Sequence, residues 1–259
     1  MPIARAFLNP KKDGSLERFH PWVFSGAIHH IEGAPEEGDL VEVYNSEGKF
    51  MAKGHCQIGS IAIRILSFVD EPIDHTFWVK RFKEAHNLRL NLGLNHSDNN
   101  IYRLIHGEGD NMPGLIVDIY AHTAVMQAHS PGMHLHREEL AAALKEVMGD
   151  SIDSVYYKSE STLPYKAELD AEDGYLIGGK NQPDMALENG LKFLIDWKKG
   201  QKTGFFVDQR DNRSLIEKYA ENKSVLNMFC YTGGFSCYAM RGKAKLVHSV
   251  DSSAKAIDI

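Results

Sequence analysis

Near its C-terminus the chain runs from an apolar stretch, Val225–Phe229, through Cys230-Tyr231-Thr232 to the pair Gly233-Gly234. A second apolar stretch, Leu246–Val250, then ends on Asp251, 17 residues after Gly234. A strand that ends in a glycine turn brings backbone N–H groups and a helix N-terminus against a polar ligand, and an acid closing the next strand can accept ribose hydroxyls. The pattern predicts an open α/β sheet with a nucleotide-type site at its strand ends. Such a sheet needs about five strands to bury both faces. The sequence supplies two, and stops eight residues after Asp251. The expectation is therefore a truncated domain; were these residues the whole protein, it would pack loosely around Val225–Val250 with exposed apolar edges that drive self-association, and a homodimer is among the expected partners.

Each part of this pattern has a plainer reading. The turn lacks GxGxxG spacing, so a simple strand-to-helix connection stays open, and a lone Gly-Gly pair suits a cofactor without a pyrophosphate. Asp251, followed by Ser252-Ser253, also reads as the N-cap of a helix over Ala254–Ile257. Upstream lies Gln201–Arg213, QKTGFFVDQRDNR. It is either a solvated helix start with acids in its first turn, or a wall in which Lys202 and Thr203, before Phe205-Phe206, hold an amino-acid carboxylate or stack a base.

The 259 residues are enough for about two domains, and 43% hydrophobic with 25% charged residues is ordinary for a globular chain. A net charge of −6 argues against wholesale wrapping of nucleic acid but leaves room for a local basic face. The N-terminus has no apolar run of signal-peptide length and no stretch reaches about 18 apolar residues, which predicts a cytoplasmic protein without a membrane partner. Cys56, Cys230 and Cys237 are odd in number and lack metal-site spacing, so reduced thiols are expected. The 13 histidines form no HExxH or paired motif, and no metal is expected.

Short β-rich runs separated by turns fill residues 1–72: Trp22–Phe24, Leu40–Tyr44, Phe50–Gly54 and Ile61–Leu66, with Asn45-Ser46-Glu47-Gly48 as a hairpin turn. This spacing predicts a small β-barrel whose closure removes its edges. Asp74 then caps a helix from about His75 to Leu92, with Phe77, Phe82, Ala85, Leu88 and Leu92 on its apolar face. Residues 73–196 read as a mixed α/β region. Its predicted strands are Tyr102–Ile105, Leu115–Tyr120, Thr123–Ala128, Ser154–Tyr157, Gly174–Ile177 and Leu191–Ile195, with a helix over about Leu135–Val147. A helix from Asp208 or Asp211 to about Ala220, packing Leu215, Ile216 and Tyr219 inward, opens the last region, 197–259.

Three segments together resemble one family. QKTGFFVDQRDNR with VLNMFCYTGGFSCYA and SVDSS, the stretch RLIHGEGDNMPGLIVDIY (Arg103–Tyr120), and HPWVFSGAI (His20–Ile28) are similar to the S-adenosylmethionine-dependent ribosomal RNA large-subunit cytosine-5 methyltransferases that carry an N-terminal PUA domain. The resemblance implies a PUA-like RNA-binding β-barrel (1–72), a central α/β domain (73–196) and the first part of a Rossmann-like class I methyltransferase domain (197–259). It implies that Gly233 and Asp251 sit on the methionine and ribose portions of the cofactor, that Gln201, Thr203 and Phe206 line its pocket, and that Phe229 and Tyr231 adjoin it. It also implies that the barrel docks ribosomal or other structured RNA, with Lys11, Lys12, Arg18, Lys53 and Arg64 as basic contacts or as ordinary surface charges.

In that family a cysteine thiolate adds to carbon 6 of a flipped-out cytosine, and carbon 5 then takes the methyl group. The nucleophile follows the second cofactor strand, so the resemblance assigns no catalytic residue here, and Cys230 and Cys237 read as small buried thiols. Two rivals stay open: a methyltransferase with another substrate, and a non-catalytic RNA-binding protein. A nicotinamide-dependent oxidoreductase is disfavoured by the missing GxGxxG turn.

Overall fold

The computed structural model describes residues 3–164, 169, 172–179 and 184–258. They fall into two compact units, one of Met1–Leu94 with Arg103–Lys180, the other of Asn95–Tyr102 with Asn181–Ile259.

The first unit begins with a six-stranded sheet. Its strands are β1 (Ala4–Leu8), β2 (Trp22–Phe24), β3 (Ile28–Glu32), β4 (Leu40–Tyr44), β5 (Phe50–Cys56) and β6 (Ile61–Ser67), in the order β2-β6-β5-β4-β1-β3. Alternation along these strands sends Ala6, Leu8, Val41, Val43, Ala52, Ile63 and Ile65 into one core. The turn at Asn45 forms as expected, its side chain accepting the Glu47 and Lys49 N–H groups at 3.0 and 2.9 Å. Two strands do not show in the sequence: β1 has no β-branched residue, and β3 is mostly polar and exposed. The sheet ends on β2 and β3, which a 3-10 turn at Ser25–Ala27 joins, so the expected ladder closure is replaced by a bent connection.

Helix α1 (His75–Asn91) is capped by Asp74, whose carboxylate accepts the Phe77 N–H at 3.0 Å. Phe77, Phe82 and Ala85 are buried as expected, but Leu88 and Leu92 are exposed at 47% and 62%. Arg89 takes the buried position instead, because its guanidinium pairs with Asp110 and donates to the Arg103 carbonyl at 2.9 Å. A charge with fixed partners replaces a leucine against this surface.

The central sheet has the order β11-β10-β9-β8-β7, from β7 (Ile101–His106), β8 (Leu115–Tyr120), β9 (Thr123–Ala128), β10 (Ser154–Tyr157) and β11 (Gly174–Ile177). Strands β8 and β9 are antiparallel, whereas β9 and β10 run parallel because α2 (Pro131–Leu135) and α3 (Arg137–Met148) cross between them. The helix expected over about 135–147 is α3, and the short α2 that precedes it, ending before His136, is unexpected.

The second unit holds an antiparallel hairpin, β12 (Asp184–Glu188) with β13 (Leu191–Ile195), and a parallel pair, β14 (Ser224–Met228) with β15 (Leu246–Val250). Helices α4 (Arg210–Tyr219), α5 (Gly234–Arg241) and α6 (Ala254–Ile257) accompany that pair. Here the expected packing of α4 is corrected: Leu215, Ile216 and Tyr219 are exposed at 46%, 37% and 74%, and Arg213 is its buried residue. The reason is that a two-stranded sheet has too little face to cover them. Leu226, Met228, Leu246 and Val250 are exposed for the same reason.

Candidate functional site

Strand β14 ends at Met228, and the backbone then takes an unusual path, with positive φ at Phe229 (58°), Tyr231 (52°) and Gly233 (81°). Only Gly233 adopts this region without steric cost. It is the N-cap of α5, and the turn is closed by the Gly233 N–H donating to the Cys230 carbonyl at 2.9 Å. The two strained side chains therefore need external support.

Asp251 supplies it. Its carboxylate accepts the Tyr231 N–H at 2.8 Å and the Ser253 N–H at 2.8 Å, and these backbone donors, Ser253 first, hold its carboxyl below the ordinary range. The N-cap of α6 is Ser253, which accepts the Ala256 N–H, so the expected capping role passes two residues on.

The Tyr231 phenol makes the second support. It accepts the Gln201 N–H at 3.0 Å and donates to the Gly204 carbonyl at 3.2 Å, tying the turn to the 201–206 segment. Its ring meets Phe206 edge to face, centroids 5.2 Å apart, and Lys202 Nζ lies 5.1 Å from the Phe206 ring centre.

Between these groups opens a cleft of ≈ 270 Å³ walled by Phe206, Phe229, Tyr231, Thr232, Gly234 and Phe235, with Phe205, Gln209, Cys230 and Arg213 behind. Of the residues expected to bind cofactor, Phe206, Phe229 and Tyr231 line it directly. Gly233 sits in the turn that shapes it, Asp251 holds that turn, Gln201 contributes a backbone N–H, and Thr203 is buried at 1% exposure.

Sequence reasoning missed the brace under this cleft. Arg213 donates twice to the buried Glu188, at 2.7 and 2.7 Å, and to the Phe206 carbonyl at 3.1 Å, while its guanidinium lies 4.6 Å from the Phe205 ring centre. The Tyr238 hydroxyl also donates to Glu188, at 3.0 Å. Arg213 stood in a charged run that looked solvated, and Glu188 carried no local signal at all.

The thiols behave as expected of packing residues. Burial, with the nearby Asp251 charge, pushes the Cys230 thiol up, and burial does the same to Cys237. Neither is poised as a thiolate. Among the described residues no group of three His, Cys, Asp or Glu side chains can hold a metal ion, and no helix is long and apolar enough to cross a membrane.

The basic residues of the first unit divide. Lys11, Lys12 and Arg18 are exposed. Lys53 is not available at the surface: it is buried at 5% exposure and its ammonium lies 3.0 Å from Asp70 and 3.5 Å from Glu42. Arg64 is committed too, donating to Glu108 at 2.8 Å with its guanidinium over the Trp22 ring. A period-2 pattern cannot show that these two cations face other groups of the fold.

Residues 6–68 match the family described as a PUA-like domain, and residues 159–258 the family described as an S-adenosylmethionine-dependent methyltransferase. Along this α/β chain a PUA-like pattern is thus followed by one of the S-adenosylmethionine-dependent methyltransferase type, the second spanning the cleft. Among its curated relatives are two called ribosomal RNA large subunit methyltransferase I. That of Alteromonas mediterranea is 38% identical over 99% of this chain and 64% of its own length, and that of Tolumonas auensis is 40% identical over 98% and 64%. The chain thus spans somewhat under two thirds of the relatives it matches. A solved structure, a methyltransferase from Streptococcus mutans described as SAM-dependent, superposes with a TM-score of 0.81 at 23% identity, covering 99% of this chain and 65% of that one. This superposition concerns the fold.

Proposed function

We propose that the whole protein is an S-adenosylmethionine-dependent RNA methyltransferase acting in the cytoplasm on large-subunit ribosomal RNA, with carbon 5 of a cytosine as the methyl acceptor. The observation that carries the cofactor part is the cleft at the end of β14, where a turn of positive-φ residues is clamped by the acid that ends β15. The residues fit the group: Phe206 and Phe229 offer apolar faces to an adenine, the Asp251 carboxylate keeps acceptor capacity beyond the backbone N–H groups it holds, and the glycine turn admits close approach of backbone. Gln201, Thr203 and Tyr231 would complete the pocket, with Gly233 beside the methionine portion. Bound S-adenosylmethionine supplies an electrophilic methyl group on a sulfonium.

The names of the relatives support the RNA substrate, and the cytosine position follows the resemblance of the motifs. We assign the nucleophile to no residue of this chain, because both thiols near the cleft are pushed away from the thiolate. We place further strands of the domain on the exposed apolar side chains of β14, β15 and α4, and expect this chain alone to self-associate through them. Three domains, 1–72, 73–196 and 197–259, remain our division by descent, with Lys11, Lys12 and Arg18 as phosphate contacts.

Isothermal titration with S-adenosylmethionine tests the reading. Saturable binding that Asp251→Ala weakens at least tenfold supports it. Binding of structured RNA without any cofactor binding favours the non-catalytic RNA-binding alternative.

A further inference from the structure

The segment 201–213, which supplies one wall of the cofactor cleft, carries three cations, Lys202, Arg210 and Arg213. Two of them are engaged inside the fold. Arg213 donates to Glu188 and to the Phe206 carbonyl, and Arg210 lies 3.5 Å from Glu188 and donates to the Ile101 carbonyl. Lys202 is exposed, and among the described residues no carboxylate pairs with it. Its ammonium lies instead 5.1 Å from the centre of the Phe206 ring, and that ring lines the cleft.

The backbone holds the lysine there against its own preference. Lys202 has φ 50°, in the left-handed region that a residue with a long side chain disfavours. The turn around it is closed by the Gly204 N–H, which donates to the Gln201 carbonyl at 2.8 Å. The Tyr231 hydroxyl then ties both ends of this turn to the cleft, accepting the Gln201 N–H and donating to the Gly204 carbonyl. Strain that the surroundings hold in place gathers at ligand clamps. Thr203, the next residue, is 1% exposed, so the ammonium of Lys202 is the polar side-chain group of this pair that reaches solvent.

We infer that Lys202 binds the α-carboxylate of the methionine portion of S-adenosylmethionine, and so sets the preference of the cleft for nucleosides that carry an amino-acid end. This deepens the reading of the cleft as a cofactor site and rests on it. An α-carboxylate is an anion at neutral pH, and the charge of Arg213, the cation that lines the cleft, is already balanced by Glu188. A lysine is a point charge on a flexible four-carbon stem. Its ammonium can leave the ring face for an oxygen in the cleft while its methylenes stay against Phe206. The exchange is favourable: an exposed cation–π contact is worth about 2- to 5-fold in binding, a charged hydrogen bond about tenfold or more.

Isothermal titration of the chain with S-adenosylhomocysteine and with methylthioadenosine, which keeps the adenosine and the sulfur but lacks the amino-acid end, tests it. Lys202→Met should weaken S-adenosylhomocysteine binding roughly tenfold, lower its salt dependence and leave methylthioadenosine binding unchanged. Lys202→Arg should keep most of the affinity. An equal loss for both ligands marks a lysine that only packs on Phe206 and overturns the inference. Lost binding of a labelled RNA oligonucleotide in Lys202→Met, with S-adenosylhomocysteine affinity kept, assigns the charge to a phosphate and overturns it too. If the parent chain does not bind S-adenosylhomocysteine, the cofactor reading falls and this inference with it. Binding that Asp251→Ala weakens and Lys202→Met does not would sink this inference alone.

Discussion

The Asp251 carboxylate accepts the Tyr231 backbone N–H at 2.8 Å across 20 residues of chain, so the end of one strand sets the conformation of the turn after its neighbour. The acid expected to meet a ribose is first a clamp on a strained turn. The two roles combine, because a carboxylate fixed by backbone donors presents its remaining lone pairs in a constant direction.

Asp251→Asn should therefore fail almost as badly as Asp251→Ala in cofactor titration, since its amide NH₂ would face one of the two N–H donors. The pH dependence has a definite sign. The carboxyl is held below its usual 3.8, so its contribution is complete above that value and is lost as pH falls below it. The Asp251 carboxylate should accordingly stay ionised and contribute no pH dependence to the cofactor affinity of the parent chain between about pH 5 and 8, which titrations over that range will check.

Tyr231→Phe keeps the ring against Phe206 but leaves the Gln201 N–H and the Gly204 carbonyl without their hydroxyl partner. Because Gln201 is exposed and its N–H can turn to water, the loss is closer to that of one net hydrogen bond, about 0.5–1.5 kcal/mol. We expect a modest fall in thermal stability and a larger fall in cofactor affinity, as calorimetry on the same samples will separate.

The Arg213–Glu188 pair should show strong coupling. Breaking a buried pair from one side costs about 3–5 kcal/mol; when Arg213 is the one removed, the Arg210 guanidinium 3.5 Å from Glu188 offsets part of that cost. Urea unfolding should find Glu188→Met and Arg213→Met each severely destabilised and the double variant less so than their sum. Additive losses would show that the two groups do not act as a pair.

His55 gives a pH prediction for the first unit. It is fully buried against His136, ring centroids 5.1 Å apart, and burial, then the neighbouring His136, pushes it down to about 3. A base depressed in the folded state favours folding above its unfolded value of 6.5, and that contribution is lost as pH falls toward 3. Each pH unit in that window removes at most about 1.4 kcal/mol. His55→Phe should flatten the acid limb of a stability–pH curve measured by thermal unfolding.

Lys53 and Lys11 should separate stability from RNA contact. Lys53→Met, which strips the ammonium from between Asp70 and Glu42, should lower the melting temperature. Lys11→Ala together with Lys12→Ala should leave it unchanged and reduce the salt slope of RNA binding by about two contacts.

Period-2 runs bounded by turn residues made β2, β4, β5 and β6 legible, and Asp74 marked the start of α1, because these signals are local. Strands β1 and β3 escaped, since β1 has no β-branched residue and the mostly exposed, polar β3 is made a strand only by pairing with β1. Leu88, Leu92, Leu215, Ile216 and Tyr219 were misplaced for one reason: helical spacing marks an apolar stripe, but only the packed partner decides whether it is covered.

In the site, the strand, the glycine turn and the distant acid were legible from local order alone, because each is written in consecutive residues and a fixed spacing. That Asp251 holds Tyr231, that Arg213 pairs with Glu188 under the cleft, and that Lys53 and Arg64 turn toward acids came only from the folded arrangement. Those outcomes are choices of partner. A charged side chain out of water is stable only beside a fitting opposite charge or donor, and which residue fills that place is set when distant segments meet.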